Sequence, residues 1–309
     1  MTNYSYAKCL RHSYQVNWRI SDVIGGQSFD TSKRWLPEAL SAVSRLTCLD
    51  EEERKKLTQV EMAAYAHLFA YVEEFIAPKV STLAKDHEID QREAYDALTN
   101  FAAEEVKHMN LFRQLRSMVG EALGFDPELV GGQSETARYV LGKSSGAVLL
   151  LTACIEWFTQ KHYLEAFKDD DQLDPLTRRV FKAHWLEESQ HAQMDHLETL
   201  RAFASMNAEE RDQSVDELIE LVAAVDGLLQ MQVEADMANF AKAIDRTLSP
   251  AETEEVREAL VASKRWTFIM SGVTHPRFEE LFSEVTTPVQ QERVGKALQS
   301  LFAPSPAAV

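Results

Sequence analysis

The sequence predicts an all-α protein built around a bundle of long helices. Glycine is sparse, with 11 residues in 309, and no clear run of alternating apolar and polar residues marks a strand. Capping boxes, in which Asp, Asn or Ser precedes Glu by three positions, recur between long segments of helical periodicity. The pairs with this spacing are Asp50/Glu53, Asp90/Glu93, Asn207/Glu210 and Ser249/Glu252. We therefore expect helices throughout the chain.

The start signals and the periodicity define approximate helix boundaries. The expected helices are 38–47, 51–83, 90–122, 136–169, 175–205, 208–246, 250–271 and 288–302, followed by a frayed tail at 303–309. We expect residues 1–206 to form a metal-binding bundle with an N-terminal helical segment. Residues 207–309 would then form a helical extension packed on that bundle. No linker rich in Pro, Gly or Ser separates the two parts, so we expect one structural domain.

Composition excludes several classes of protein. The formal charge of −17 repels a phosphate backbone, so nucleic acid is not an expected partner. Apolar runs are far shorter than the ~18 residues that cross a bilayer, and no signal peptide is recognisable, so we expect a cytoplasmic protein without a membrane span. Cys9, Cys48 and Cys154 are too few for an iron–sulfur cluster held by one chain. Electrons for redox chemistry would therefore come from another protein.

Two tetrapeptides carry candidate metal ligands. Glu105-Val-Lys-His108 and Glu188-Ser-Gln-His191 each lie inside a long predicted helix. Because residues at i and i+3 project from the same side of a helix, each pair offers a metal one carboxylate oxygen and one imidazole nitrogen. Glu104 points about 100° away from its neighbour Glu105 on a helix, so we expect it to lie in solvent.

Each tetrapeptide is preceded by a further glutamate at nearly the same distance. Glu74 lies 31 positions before Glu105, and Glu156 lies 32 positions before Glu188. Since a helix rises about 1.5 Å per residue, a helix, a turn and an antiparallel return bring residues at this spacing to one level. Four such helices supply the ligand set that holds two iron or manganese ions in ferritin-like bundles. The expected fold is a ferritin-like four-helix bundle with additional N- and C-terminal helices.

The first of these glutamates is ambiguous, because Glu73 and Glu74 are adjacent. Counting back from Glu74 by threes and fours gives a mainly apolar stripe of Tyr71, His67, Ala64, Val60 and Leu57. Glu73 instead shares its side of the helix with Lys55 and Gln59. We therefore predict that Glu74 is the ligand.

Glu156 and His184 complete the candidate set. Glu156 lies among the apolar residues 149–158, where a charge is costly unless a metal or a partner compensates it. His184 precedes Glu188 by four positions, so it shares a helix face with Glu188 and His191. It is either a third imidazole ligand or a neighbour that orients a ligand. The predicted metal ligands are Glu74, Glu105, His108, Glu156, His184, Glu188 and His191.

The order of these residues resembles the p-aminobenzoate N-oxygenase family of ferritin-like di-iron oxygenases. The distinguishing feature is the added histidine in His184-x-x-x-Glu188-x-x-His191. The resemblance covers roughly residues 40–205 and, more weakly, the segment 272–276. It implies one metal with Glu74, Glu105 and His108, and a second with Glu156, His184, Glu188 and His191, with bridging carboxylates.

The resemblance also implies an activity. We expect activation of O2 at two iron ions, which manganese could replace, and oxygenation of a small organic substrate. The reaction would be N-oxygenation of an amine or hydroxylation. A separate electron-transfer protein or reductase would supply electrons from an external donor. The oligomeric state is open, with a homodimer as one arrangement.

Three other functions use a similar ligand set. They are a di-iron desaturase or hydroxylase of an acyl chain, the small subunit of ribonucleotide reductase, and a ferroxidase or iron-binding protein. The reductase subunit would be expected to carry a radical-bearing tyrosine near the second-helix histidine, whereas the residue four positions after His108 is Phe112. Iron-storage proteins are much shorter. His184 favours the N-oxygenase-like interpretation over all three.

Overall fold

The computed structural model describes residues 4–87 and 89–301. Helices dominate these residues, and their one β contact is an isolated bridge between Arg34 and Leu173. The predicted all-α class is confirmed. No helix in the described ranges combines the length and the apolar character that a membrane span requires. The tail predicted at 303–309 lies outside the described residues.

Four long helices form the bundle. They are α4 (Glu51–Lys85), α5 (Arg92–Leu123), α7 (Ser145–His162) and α8 (Pro175–Ser205). Helix α4 packs along α5, α7 packs along α8, and α5 also meets α8. A π-helical turn, Tyr163–Phe167, extends α7 beyond its last regular residue. These four helices carry every candidate ligand.

Further helices precede, interrupt and follow the bundle. The N-terminal ones are α1 (Tyr6–Val16), α2 (Ile20–Ile24) and α3 (Glu38–Ser41), and α6 (Gln133–Leu141) lies between the two helical pairs. The C-terminal ones are α9 (Ala208–Ala243), α10 (Pro250–Arg265), α11 (Ser271–Val273), α12 (Pro276–Val285) and α13 (Pro288–Leu301). A π-helical turn at Trp266–Met270 links α10 to α11. One cluster of buried apolar side chains extends from Cys9 to Val285, so the bundle and its extension share a core.

Most of the predicted helix starts are confirmed. Complete capping boxes at Asp50, Asn207 and Ser249 begin α4, α9 and α10. The predicted box at Asp90 is wrong, because α5 begins after Gln91, which makes no side-chain cap. The helix predicted at 136–169 is two helices, since Ser144 caps a new start by accepting a hydrogen bond from the Ala147 amide.

Candidate metal centre

Seven glutamate and histidine side chains meet in the core of the bundle. Each of these residues is at most 2% exposed. They are Glu73, Glu105, His108, Glu156, His184, Glu188 and His191. Each bundle helix contributes at least one of them, so the convergence follows from the packing of α4 on α5 and of α7 on α8. Burying so many ionisable groups costs several kcal/mol per ion unless charges or metals compensate.

The ligand atoms fall into two overlapping groups. One atom each from Glu73, His108, His184 and Glu188 lies within 4.8 Å of the others. The second group, with the same limit, consists of Glu105, His108, Glu188 and His191. His184 Nε2 lies 2.6 Å from Glu188 Oε1, and His191 Nδ1 lies 2.9 Å from Glu188 Oε2. The two oxygens of one carboxylate therefore face different groups, which is the geometry of a bridging ligand.

Several buried atoms of these seven side chains make no aligned hydrogen bond. Among the described residues these atoms are Glu73 Oε2, Glu105 Oε1 and Oε2, His108 Nδ1, Glu156 Oε2, and both ring nitrogens of His184. His108 Nδ1 lies only 2.9 Å from Glu188 Oε1 but lacks the alignment of a hydrogen bond. Glu105 Oε1 and His184 Nε2 likewise have ion-pair partners, at 2.8 Å and 2.6 Å. A buried polar atom without any partner costs about 1–3 kcal/mol, so the four atoms that remain indicate a missing ligand. Two divalent cations fit, because four carboxylates would neutralise their charge and the free lone pairs would coordinate them.

Two of the carboxylates resist ionisation in the absence of a cation. Burial raises the pKa of Glu73 well above its ordinary value, and the neighbouring carboxylate of Glu105 raises it further. Burial likewise raises the pKa of Glu156, with an added contribution from Glu188. Protons therefore occupy these sites until a cation displaces them.

Glu188, His108 and His191 favour their charged forms. Burial opposes ionisation of Glu188, but the imidazoles of His184, His191 and His108 outweigh it and hold the pKa of this carboxyl well below its ordinary value. Burial also opposes protonation of His108 and His191, yet the adjacent carboxylates raise the pKa of both rings well above the ordinary value. Without a metal, the centre of the cluster is thus a carboxylate between charged imidazoles.

Each histidine of the two tetrapeptides is held from behind by a carboxylate of the opposite helix. His108 Nε2 on α5 lies 2.8 Å from Glu187 Oε2 on α8. His191 Nε2 on α8 lies 2.8 Å from Glu104 Oε2 on α5. These contacts turn Nδ1 of both rings toward the cluster, as outer carboxylates do for metal-binding histidines.

The prediction that Glu104 lies in solvent is wrong. Only 8% of its surface is exposed, because α1 covers this face of α5. Besides its contact with His191, Glu104 accepts hydrogen bonds from Ser13 Oγ at 2.5 Å and from Gln190 Nε2 at 2.8 Å. Neither the contact of Glu104 with His191 nor that of Glu187 with His108 was predicted from the sequence. The repeated Glu-Glu-x-x-His pattern, at 104–108 and 187–191, was the available signal.

The structure places Glu73, and not the predicted Glu74, in the cluster. Glu74 lies at the edge of the bundle and accepts a 2.7 Å hydrogen bond from Arg113, whereas Glu73 is 2% exposed and faces His184. Phe69, four residues before Glu73 and on the same helix face, packs edge-on against the His184 ring with centroids 5.3 Å apart. This face, rather than the Glu74 side, points into the bundle.

The physical reason is that α4 is buried on nearly all sides. His67 and Tyr71, which belong to the stripe that ends at Glu74, contact the segment around α6 instead of the bundle interior. His67 Nε2 lies 3.0 Å from the Val130 carbonyl oxygen, and the Tyr71 hydroxyl bonds to Thr136. An apolar stripe therefore identified a packed face of α4 but not the face that meets the other ligands.

The remaining candidate residues lie in the cluster, as their spacing in the sequence predicts. The neighbours of His184 differ from those that the family resemblance implies. Glu156 is buried beside Glu188, although it belongs to neither group of four. His184 shares its group with Glu73 and not with His191, whereas the family resemblance implies that His184 and His191 serve the same metal. Which ion His184 binds stays a prediction.

Aromatic rings surround the cluster. Phe101 stacks on His191 with centroids 3.9 Å apart, and Phe112 packs edge-on against His184 at 4.8 Å. Trp18 from the segment between α1 and α2 stacks on His108 at 5.7 Å. Phe112 occupies the position at which a ribonucleotide reductase subunit would be expected to carry its tyrosine.

Comparison with solved structures gives distant matches. No curated protein matches the chain. Two solved structures that it resembles are variants of an R2-like ligand-binding oxidase with an aerobically reconstituted Mn/Fe cofactor. Their sequences are 13% and 15% identical to this chain. In each case the match covers 86% of this chain and 93% of the other, with a TM-score of 0.45. The family assignment therefore depends on the sequence.

A sequence model of one family matches residues 28–276, a range that includes the whole cluster. The family is described as p-aminobenzoate N-oxygenase AurF. The protein is accordingly an oxidoreductase that uses O2, and its buried Glu and His side chains fit a cofactor of two metal ions. Because the match spans most of its length, the chain belongs to the p-aminobenzoate N-oxygenase AurF family.

Proposed function

We propose that the cluster binds two iron ions and that the protein inserts oxygen from O2 into an N–H bond of an amine. The proposed ligands are Glu73, Glu105, His108, Glu156, His184, Glu188 and His191. The observation that carries the proposal is the concentration of unpartnered ligand atoms in two groups that share Glu188. Seven ligand side chains exceed the six positions of one octahedral ion.

The ligand atoms suit redox chemistry with O2. Four carboxylates neutralise two divalent ions and stabilise higher oxidation states, while neutral imidazoles keep the coordination geometry fixed. When bound, the iron ions would supply the site for O2 and the electrons that reduce it. Glu104 and Glu187 hold His191 and His108 in the orientation that presents Nδ1 to the cluster.

The reaction needs electrons from outside the chain. N-hydroxylation places one oxygen atom of O2 on the amine nitrogen and releases the other as water, which consumes two electrons and two protons. The chain has only three cysteines, too few for an iron–sulfur cluster of its own. We therefore infer a separate reductase or electron-transfer protein as the donor.

Metal analysis tests the ligand assignment. Protein produced with ample iron should contain about two ions per chain, and Glu156→Ala should lose far more metal than Glu165→Ala. The second glutamate is a matched control, because it is exposed in the turn that extends α7. Fewer than one bound ion in the parent protein would sink the proposal.

The activity is tested separately on the iron-loaded protein. After chemical reduction, exposure to 18O2 with an arylamine should give an N-hydroxylated product that contains one labelled oxygen atom. Steady growth of an iron mineral with no labelled product would instead indicate iron storage. Incorporation of label only at carbon would indicate a hydroxylase.

A further inference from the structure

A large apolar cavity lies between the bundle and its C-terminal extension. Its volume is about 1090 Å³. One wall consists of residues from α4 and α7, including Leu68, Val72 and Ile155, and the other comes from α9, α12 and α13. Leu221 and Leu298 are representative of that second wall. The extension thus encloses space beside the ligand-bearing helices.

Two of the helices that line the cavity, α4 and α7, also carry proposed metal ligands. Val72 lines the cavity and precedes Glu73, while Ile155 lines it and precedes Glu156. Phe158 also lines the cavity, and its ring lies 6.1 Å from that of Phe69, which packs against His184. A molecule in this cavity would therefore lie against the two helices that carry Glu73 and Glu156, although none of the seven proposed ligands is among the described residues that line it.

The size of the cavity exceeds the needs of a single aromatic ring. An apolar cavity of about 150 Å³ holds one benzene molecule, so the space here is roughly seven times larger. Its lining is dominated by Leu, Val, Ile and Phe side chains. Filling it would release about 0.8 kcal/mol for each methylene moved out of water, which corresponds to roughly fourfold tighter binding per methylene.

The charges at the cavity disfavour a carboxylate. Among the described residues that line it, the charged ones are Glu135, Glu279 and Glu280, and all three are exposed where the cavity meets solvent. No Lys, Arg or His belongs to that described lining. Arg277 pairs with Glu280 at 2.9 Å, so Glu280 contributes little repulsion. A benzoate would still meet Glu135 and Glu279, with no Lys, Arg or His in the described lining to pair with its own carboxylate, whereas an amine-bearing apolar molecule meets no such repulsion.

We propose that this cavity is the substrate site and that the substrate is a large apolar amine without an acidic group. This inference rests on the proposed function, because the amine is the group to be oxygenated. It differs from p-aminobenzoate, the compound in the family description, both in size and in the absence of a carboxylate.

Binding of three matched probes to the iron-loaded protein tests the inference. Calorimetry should give saturable binding of 4-octylaniline, at least tenfold weaker binding of 4-octylbenzoate, and the weakest binding of 4-aminobenzoate. The affinity for 4-alkylanilines should also rise with the length of the chain from butyl to octyl. Equal affinity for the octyl acid and the octyl amine, or tighter binding of 4-aminobenzoate than of 4-octylaniline, would overturn the proposal.

Reversing a charge at the rim of the cavity tests whether the probes bind there. Glu279→Lys should tighten 4-octylbenzoate binding at least fivefold and leave 4-octylaniline within about twofold. Glu284→Lys is the matched control, since this glutamate lies on the same helix, is exposed and does not line the cavity. The same change in both variants would show that binding occurs elsewhere. Metal content and melting temperature should match the parent protein in both.

The inference and the proposed function can fail separately. Tight 4-octylaniline binding without labelled product in 18O2 would leave the cavity assignment standing and remove the N-oxygenase assignment. Labelled product from 4-aminobenzoate, with no binding of 4-octylaniline, would do the reverse. Binding and product formation are measured on the same iron-loaded preparation. Missing iron therefore cannot explain a negative result in only one of the two measurements.

Discussion

Glu104 Oε2 lies 2.8 Å from His191 Nε2, although the two residues belong to different helices and stand 87 positions apart. Glu187 has the same relationship to His108, so the two Glu-Glu-x-x-His segments exchange contacts across the bundle. Lys107 Nζ in turn donates to Glu187 and lies 4.2 Å from the centre of the Trp18 ring. These contacts hold α5 and α8 together independently of any metal.

These contacts predict that the carboxylates of Glu104 and Glu187 control the affinity for metal. Glu104→Gln should weaken iron binding by about 10–100-fold, because a neutral amide polarises the His191 ring less and holds it less firmly. A chelator competition gives the affinity. Glu74→Gln is the control, since its partner is Arg113 at the bundle edge, and it should bind iron like the parent. Equal affinities for all three proteins would contradict the role of Glu104.

Adjacent glutamates on α4 should differ sharply in their effect on metal content. Glu73→Ala removes a buried side chain that faces His184, so the variant should lose one ion or more per chain. Glu74→Ala removes only a contact with Arg113 and should keep both ions. Iron analysis of the two purified variants decides the point. Greater loss in the second variant would restore Glu74 as the ligand.

His184 should be a ligand of one ion rather than a neighbour of the ligands. Its Nε2 would then lie ~2.1 Å from a metal, the distance usual for imidazole nitrogen on a divalent transition ion. His184→Ala should retain more than one ion per chain, because six other ligands remain, and should change the Mössbauer signal of only one iron. A metal-loaded structure shows whether that ion is shared with Glu73 or with His191. An imidazole turned away from both ions would contradict the prediction.

Iron affinity should increase with pH. His108 and His191 have pKa values well above the ordinary one, and burial raises those of Glu73 and Glu156, so metal binding must displace protons from these groups. A ligand that displaces protons binds more tightly as pH rises, by roughly tenfold per pH unit for each proton released. Titrations between pH 5.5 and 8, with buffers of different ionisation enthalpy, measure both the affinity and the number of protons. Affinity that does not change with pH would contradict this assignment.

The ligand positions were predictable wherever helical geometry alone determines them. Glu105 with His108, and Glu188 with His191, follow from the i, i+3 rule, and Glu156 follows from its spacing and apolar surroundings. The choice between Glu73 and Glu74 was not predictable from an apolar stripe, because α4 is packed on several sides at once. The cavity was not predictable either, since its walls come from helices far apart in sequence.

A second buried charge cluster lies outside the metal centre, where α4 meets α9 and α10. Lys264 Nζ is 2.6 Å from Asp236 Oδ2 and 3.9 Å from Glu61 Oε1. Within residues 4–87 and 89–301, Glu61 Oε2 has no hydrogen-bond partner. Burial raises the pKa of Glu61 to about 8, and the nearby Asp236 adds to the shift while Lys264 opposes it. In this cluster one cation faces two carboxylates.

The raised pKa of Glu61 predicts how stability depends on pH. Between its ordinary pKa near 4.5 and about 8, the folded protein holds a proton that the unfolded chain has lost, so the folded state loses stability as pH rises through that window. Glu61→Gln removes this titration. The melting temperature of the variant minus that of the parent should therefore increase by a few °C from pH 5 to pH 8. In a chain of this size, a change of ~1 kcal/mol in the free energy of unfolding shifts the melting temperature by at most about 2–4 °C. Only the change across pH is diagnostic, because the substitution also takes one carboxylate from Lys264.

Glu258→Gln is the control, because this glutamate is exposed on α10, and its melting temperature should follow that of the parent at every pH. A pH curve for Glu61→Gln that runs parallel to the parent curve would show that Glu61 is ionised in the folded protein.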